Sequence, residues 1–133
     1  MTRTRKSAKS AGTAMETLVA RYLADVLDDD RIERRTRNGS KDRGDIGGVR
    51  TVMGERIVVE VKQYGGRLLP GTWLNEARTE AGNDDAPVAI VVAKRRGTTN
   101  PARQFVLMEL GDLALLLGGT PKTQCDCPVD HGN

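Results

Sequence analysis

The chain has 133 residues, enough for one domain with a single core and too few for two such domains. It carries 21 basic and 18 acidic residues, a formal net charge of +3. The basic residues are clustered along the chain, and this clustering matters more for binding than the net charge does. Aromatic residues make up only 3% of the chain, which disfavours a stacking platform for unpaired bases. No apolar run approaches a membrane span, and the amino terminus lacks the apolar core of a signal peptide. We therefore expect a cytoplasmic protein that does not bind membranes.

Residues 1–12 are predicted to form a disordered basic arm that precedes the folded domain. Basic residues lie there among Ser, Thr, Ala and Gly without a single acid, a composition typical of disorder. Both an arm lying on phosphates and a solvated tail fit this composition.

Apolar residues recur at helical spacing from about Gly12 to Leu27 and predict the first helix of a domain that spans residues 13–119. Glu16 has two interpretations in this helix. With Thr13 it can complete a capping box at the helix start. It also lies within about 20° of Leu23 on a helical wheel, on the buried stripe, from which an acid can point into an active site. The two roles are compatible, and we favour the active-site role.

Residues 31–43 are predicted to form an edge strand that ends in a loop at Asn38-Gly39-Ser40. Basic residues on such a strand often serve only to protect a sheet edge. Here the segment leads directly to Asp45, so contact with phosphates is the favoured interpretation. A second basic patch follows a later strand. The predicted phosphate contacts are Arg34, Arg35, Arg37 and Arg43 in the first segment and Lys94, Arg95 and Arg96 in the second.

A run of β-branched residues, Ile57–Lys62, predicts a buried strand on which Glu60 and Lys62 share one face. A reversal at Met53-Gly54 would pair this strand with the segment that contains Asp45. A two-residue loop there sets Asp45 opposite Lys62 and diagonal to Glu60. Registers shifted by two residues leave the three side chains on one face, so two acids and a lysine converge on an apolar sheet.

Buried charges are costly unless they pair or bind something, and two interpretations satisfy that requirement. Lys62 forms a structural ion pair with one carboxylate while the other acid lies at the solvent edge. Alternatively, two carboxylates hold a Mg²⁺ ion that keeps several waters for a phosphate substrate. The lysine then orients the attacking water, assists its deprotonation or stabilises developing charge. The basic surroundings favour the second interpretation.

The second half of the chain is predicted to form two helices and two strands. Trp73 is expected in the core or an interface, and the last helix is apolar around much of its circumference, which makes it a candidate dimer contact. The predicted elements are a helix over Trp73–Gly82 capped by Thr72, a strand over Val88–Ala93 parallel to its neighbour, a strand over Gln104–Leu110 and a helix over Gly111–Leu117.

The last 14 residues, 120–133, are predicted to form a flexible polar tail. Cys125, Cys127 and His131 offer at most three soft ligands at a spacing unlike that of zinc fingers. We therefore expect free thiols in a reducing cytosol rather than a zinc site.

Asp45, Glu60 and Lys62 resemble the motif of the PD-(D/E)XK nuclease superfamily, in which they match the first acid and the E-x-K pair. Gly44 stands where the superfamily's name has proline. The resemblance extends from about Met15 to Val92, most of the chain.

Within this superfamily the chain is most similar to the small Holliday junction resolvases of bacteriophages and archaea. The features that carry this similarity are the helix-borne Glu16 before the core and the run Asn38–Ile46. The resemblance implies a restriction-endonuclease-like α/β fold, with a central mixed sheet flanked by helices. The elements predicted along the chain, in the order helix, three antiparallel-leaning strands, helix, strand, strand, helix, agree with that fold.

The same resemblance implies roles for individual residues. Mg²⁺, with Mn²⁺ as an alternative, would be held by Asp45, Glu60 and the carbonyl of Val61. Lys62 would act on the attacking water, and Glu16 would assist metal or water placement. Ser40 and Lys41 would lie near the catalytic face and contact DNA.

We therefore expect metal-dependent hydrolysis of phosphodiester bonds in branched DNA, as in DNA recombination, in the cytoplasm or, for a bacteriophage protein, the host-cell cytoplasm. Symmetric cutting of a four-way junction needs two sites and implies a homodimer. Two alternatives stay open. One is a related nuclease for linear, flap or mismatched DNA. The other is a non-catalytic DNA-binding module with the same fold, which the intact Asp45, Glu60 and Lys62 disfavour.

Overall fold

The computed structural model describes residues 4–36 and 43–120. They form an α/β fold with a five-stranded mixed sheet flanked by helices, which confirms the predicted class and order of elements. The elements are α1 (Arg5–Val26), β1 (Glu33–Arg34), β2 (Ile46–Gly47), β3 (Ile57–Lys62), α2 (Pro70–Asn83), β4 (Val88–Ala93), a 3₁₀ turn (Pro101–Arg103), β5 (Phe105–Leu107) and α3 (Leu110–Leu116).

The strands follow one another across the sheet in chain order, β1-β2-β3-β4-β5. β3 and β4 are parallel, as predicted, because α2 carries the chain back between them. The other neighbouring strands are antiparallel. The long β-branched strands β3 and β4 therefore lie in the centre, where both faces are covered.

Each face of the sheet packs against one helix, because side chains alternate across a strand. α1 covers the face that carries Val59 and Val61, and its buried Met15 and Val19 lie in that core. α2 covers the face that carries Val58, and Trp73 is buried there, as predicted for a core residue. No helix in the described ranges has the length and apolar character needed to cross a membrane.

The hairpin between β2 and β3 contains a bulge that decides which way Asp45 faces. Val49 accepts a hydrogen bond from Ile57, yet Ile46 pairs with Val59, so the two glycines Gly47 and Gly48 lie opposite a single residue of β3. Gly48 has a φ of +88°, as the extra residue of such a bulge requires. Ile46 pairs with Val59 rather than with Val61, a shift of two residues from the predicted register that keeps Asp45 beside Glu60 on the predicted face.

Helix boundaries are where the structure corrects the sequence predictions. Residues 5–12, predicted as part of a disordered arm, form the start of α1, and its N-cap is Thr4 instead of Thr13. α2 begins at Pro70, a residue whose fixed φ suits the first helical turn, so the predicted cap Thr72 lies inside the helix. β5 is shorter than predicted, Phe105–Leu107, and α3 begins and ends one residue earlier than predicted, Leu110–Leu116. The predicted tail from residue 121 lies outside the described residues.

The last strand and helix leave apolar side chains exposed. Among the described residues β5 pairs only with β4 and is an edge strand, and α3 follows it after two residues. We call this surface the apolar edge, and its exposed members are Phe105, Val106, Leu110, Leu113 and Leu117.

Candidate active site

Asp45 immediately precedes β2. Its own side chain and the glycine before it hold it in place. The Asp45 N–H donates to the carbonyl of Val59 at 2.9 Å. Its Oδ2 accepts the N–H of Val61 at 2.7 Å, in place of the backbone carbonyl that a continuing ladder would supply. Gly44 is buried with a φ of +93°, and a Cβ there would lie 3.0 Å from the Val58 Cγ1. A proline, locked near −65°, does not fit this backbone, which explains the glycine at this position.

The same contact directs the carbonyl of Val61 towards the site. In an antiparallel ladder the N–H and C=O of one residue point to the same neighbouring strand. The N–H of Val61 points to Asp45, while the carbonyl of the next residue, Lys62, bonds to β4 through the N–H of Lys94 at 2.9 Å. The Val61 carbonyl therefore points to the side on which Asp45 lies.

Glu60 is a buried acid with an incomplete set of partners. Its side chain faces α2, the residue is 2% exposed, and its Oε1 has no hydrogen-bond partner among the described residues. Burial, then the charge of Asp45 and a side-chain hydrogen bond with it, then the charge of Glu80 on α2, raise the pKa of Glu60 to about 10, against the smaller opposing charge of Lys62. Without a cation Glu60 is therefore held in its protonated form at neutral pH, and a bound cation would favour its ionised form.

Lys62 lies between two acids. Its Nζ is 2.8 Å from Glu76 Oε1 and 3.6 Å from Glu60 Oε2. Burial opposes its charge, but the hydrogen bond to Glu76 and the charges of Glu60 and Glu76 outweigh burial and hold the pKa of Lys62 above its usual value. Lys62 is thus a cation at neutral pH, suited to stabilising negative charge rather than to accepting a proton.

Glu76 was missed by sequence reasoning. It belongs to α2, and its distance to Lys62 depends on how that helix crosses β3. Helical spacing could have indicated that Glu76 lies near the sheet, because Glu76 and Glu80 lie one turn apart, next to the buried Trp73 and Ala77.

Glu16 approaches the same place from α1. It lies well inside that helix, so the predicted capping box at Thr13 is wrong. Its Oε1 accepts a hydrogen bond from Arg34 Nε at 2.8 Å, which ties α1 to β1.

All five residues predicted for catalysis or metal binding line one cleft of about 630 Å³. α1 forms one wall, the ends of β2 and β3 form the floor, and the loop after β3 forms the other wall. The cleft is lined by Lys9, Gly12 and Glu16 on α1, by Asp45, Glu60, Val61 and Lys62 on the floor, and by Gln63, Tyr64 and Gly65 on the loop.

The predicted phosphate contacts of the first basic segment are largely engaged within the protein. Arg34 pairs with Glu16, as described. Arg35 donates to the carbonyl of Arg43 at 2.5 Å and lies 3.4 Å from Asp84. Arg43 is exposed. The predicted contacts Arg37, Ser40 and Lys41 lie outside the described residues.

The second basic patch is also partly engaged. Lys94 Nζ donates to the carbonyls of Arg95 and Thr98, which stabilises the loop after β4. The Arg95 guanidinium lies 5.1 Å from the centre of the Phe105 ring. Arg96 is exposed, and its Nε lies 3.4 Å from the carbonyl of Gly65 at the wall of the cleft.

The donor set fits a hard cation that retains much of its water. Within the described ranges no group of three or more His, Cys, Asp or Glu side chains is arranged to hold a metal ion. The two facing carboxylates and the adjacent carbonyl are oxygen donors, and the Glu60 oxygen without a partner is one that a cation would satisfy. Cys125, Cys127 and His131, for which we expected free thiols and no zinc, lie outside the described residues.

In comparisons with protein-family models, curated proteins and solved structures, the chain has no match.

Proposed function

We propose that the protein is a metal-dependent endodeoxyribonuclease with a restriction-endonuclease-like fold, and that four-way DNA junctions are its substrate. The observation that carries the proposal is the convergence of Asp45, Glu60 and Lys62 on one cleft, with Glu60 buried beside a second acid. A structural ion pair with Glu76 accounts for Lys62 but does not account for a second acid, Asp45, beside the buried Glu60.

Asp45, Glu60 and the Val61 carbonyl would hold Mg²⁺ or Mn²⁺. The bound ion would supply Lewis-acid stabilisation of a phosphate and lower the pKa of a water molecule. The N–H of Val61 orients the Asp45 carboxylate. Glu76 holds the Lys62 ammonium group beside Glu60, where its charge opposes the negative charge that develops on the attacked phosphate. Glu16, at the rim, would hold water or assist metal placement.

The test is Mg²⁺-dependent cleavage of a labelled four-way junction, measured beside linear duplex of the same sequence. We expect the wild type to cut the junction at least tenfold faster than the duplex. Equal or faster cutting of linear DNA would mean that linear DNA, and not the four-way junction, is the substrate. Absence of cleavage on junction, flap, mismatched and linear DNA, together with retained binding, would identify a non-catalytic DNA-binding module.

Asp45→Asn and Glu60→Gln should each abolish this cleavage while DNA binding stays intact or strengthens, because a negative charge near phosphates is removed. Asn can still accept the hydrogen bond from Val61, so Asp45→Asn tests the charge. Glu55→Gln makes the same chemical change at an exposed turn and should cut normally. Near-normal cleavage by either site variant would overturn the site assignment.

A further inference from the structure

The start of α1 has a composition that helix packing does not explain. Its first buried residue is Met15, and residues 4–10 are all exposed. Arg5, Lys6 and Lys9 are basic, and residues 4–14 include no acid. Cations near a helix N-terminus oppose the helix dipole, at a cost of about 0.3–1 kcal/mol each. Neither burial nor helix electrostatics therefore favours these basic residues here.

Two of the basic residues lie on the helix face that forms the cleft wall. Lys9, Gly12 and Glu16 line the cleft and are spaced by three and four residues, which places them on one face. Arg5 lies one turn before Lys9 on the same face. A Cβ at Gly12 would meet nothing within 4 Å, so the helix backbone itself is open to a ligand there. We call Arg5, Lys9 and Gly12 the basic stripe.

We propose that the basic stripe binds the sugar-phosphate backbone of the DNA strand next to the bond that is cut. This inference rests on the proposed function. An anion fits this wall because it pairs with both cations and is favoured by the positive end of the helix dipole. Lys9 lies seven residues from Glu16, about 10 Å along the helix axis, or about three nucleotides of duplex rise. The contacted phosphate is therefore about three nucleotides from the cut.

The test compares two double variants that remove the same charge from the same helix. Arg5→Ala with Lys9→Ala removes the stripe. Lys6→Ala with Arg21→Ala removes two exposed cations that lie about 90° and 150° away around the helix. Alanine has the highest helix propensity, so neither variant should lose α1, and circular dichroism checks this.

Binding to labelled junction DNA is measured with Ca²⁺ in place of Mg²⁺ over a range of salt concentrations. The stripe variant should lower the slope of log affinity against log salt by about 0.9 for each lost phosphate contact, and the control variant should leave it near the wild-type slope. In Mg²⁺ the stripe variant should raise KM with little change in kcat, as expected for lost uniform binding. Equal salt slopes for the two variants would overturn the inference.

A phosphate scan locates the contact. Neutral methylphosphonate groups are placed singly at the five phosphates on each side of the cut. One substitution about three nucleotides away should weaken wild-type binding at least fivefold but leave the stripe variant unaffected, a coupling that identifies a direct pair. Additive effects at every position would overturn the inference. If the wild type cuts DNA but the basic stripe does not give these results, the inference is wrong and the proposed function still holds. If the wild type neither binds nor cuts DNA, both the inference and the proposed function are wrong.

Discussion

At the scale of single residues, Glu60 has an energetic cost in the metal-free protein. It is a nearly fully buried acid beside a second acid, and the cation Lys62 is shared with Glu76. Burying charge without full compensation costs of the order of a few kcal/mol. The proposed metal site should thus be destabilising without an ion, and this sign can be measured.

Glu60→Gln should raise the melting temperature of the metal-free protein at pH 8 by roughly 4 °C or more, equivalent to about 1 kcal/mol in a domain of this size. The pKa of Glu60 is raised from 4.5 to about 10 on folding. Its contribution to stability is therefore fully present below pH 4.5 and is lost as the pH rises towards 10. The difference between Glu60→Gln and wild type should shrink at pH 5.

Calorimetry across pH 5–9 with chelator, and again with Mg²⁺, checks this prediction. Mg²⁺ should raise the melting temperature of the wild type and leave that of Glu60→Gln unchanged. Glu55→Gln serves as the control for a lost exposed charge. A Glu60→Gln protein that melts below wild type at pH 8 without metal would contradict this assignment.

Glu16 has a structural role, which is the ion pair with Arg34 and not a helix cap. A pair of matched variants separates this role from a role in cleavage. Glu16→Gln should depress cleavage by roughly tenfold or more, a barrier increase of about 1.4 kcal/mol, while the melting temperature stays near wild type. Arg34→Gln breaks the same ion pair and is the matched control. Cleavage rates and melting curves are measured on the same preparations. If the two variants cut equally well, Glu16 serves only to hold β1 on α1.

At the scale of elements, the bulge in the β2–β3 hairpin controls the direction of Asp45. A Cβ at Gly48 would lie 2.6 Å from the carbonyl oxygen of Arg31, and φ there is +88°. Gly48→Ala should destabilise the protein by about 2 kcal/mol or more and strongly reduce cleavage. Gly54→Ala is the control, because its φ is +90° but nothing lies within 4 Å of the added Cβ. It should cost some stability and keep cleavage.

Deleting Gly48 refines this prediction. The deletion removes the extra residue of the bulge and should leave Ile46 opposite Val59, so Asp45 should stay beside Glu60. We therefore expect the deletion variant to cut better than Gly48→Ala in the same cleavage assay. The reverse order would mean that the bulge itself, and not only the register of Ile46 with Val59, is required to position Asp45.

The sequence predicted the parts of this fold that depend on side-chain alternation. Glu60 and Lys62 share a face because they are two apart on one strand, and Asp45 joins them in any register that preserves parity. The start of α1 was missed because Ser, Ala and Lys suit a helix as well as a disordered arm once Thr4 supplies a cap. The engagement of Arg35 with Asp84 and of Lys62 with Glu76 depends on where α2 lies, which no local pattern contains.

At the scale of the whole molecule, we expect the second copy of the proposed dimer to dock on the apolar edge. Symmetric cutting requires two sites, and an edge strand beside exposed leucines can pair across a two-fold axis. Leu110→Glu should convert a dimer to a monomer without affecting the fold, because Leu110 is 80% exposed. Light scattering gives the mass, and a cruciform plasmid should be nicked on one strand instead of linearised.

Val52→Glu provides the control for this test. Val52 is 99% exposed and lies at the tip of the β2–β3 hairpin, away from β5 and α3. It should remain dimeric and produce paired cuts. A wild type that is monomeric, or a Leu110→Glu variant that still dimerises, would show that the two copies do not meet through the apolar edge.

The bulge at Gly48 also bears on how the hairpin folds. A hairpin without the bulge would pair Asp45 with Val61 and turn its carboxyl into the core around Met15 and Val19. Burying an uncompensated charge there costs of the order of several kcal/mol, so misregistered chains are strongly disfavoured. We therefore expect Asp45 to favour the native strand register during folding, before any substrate is present. Replacing it by Asn weakens that selection, so refolding of Asp45→Asn should be slower and less uniform than refolding of Glu60→Gln.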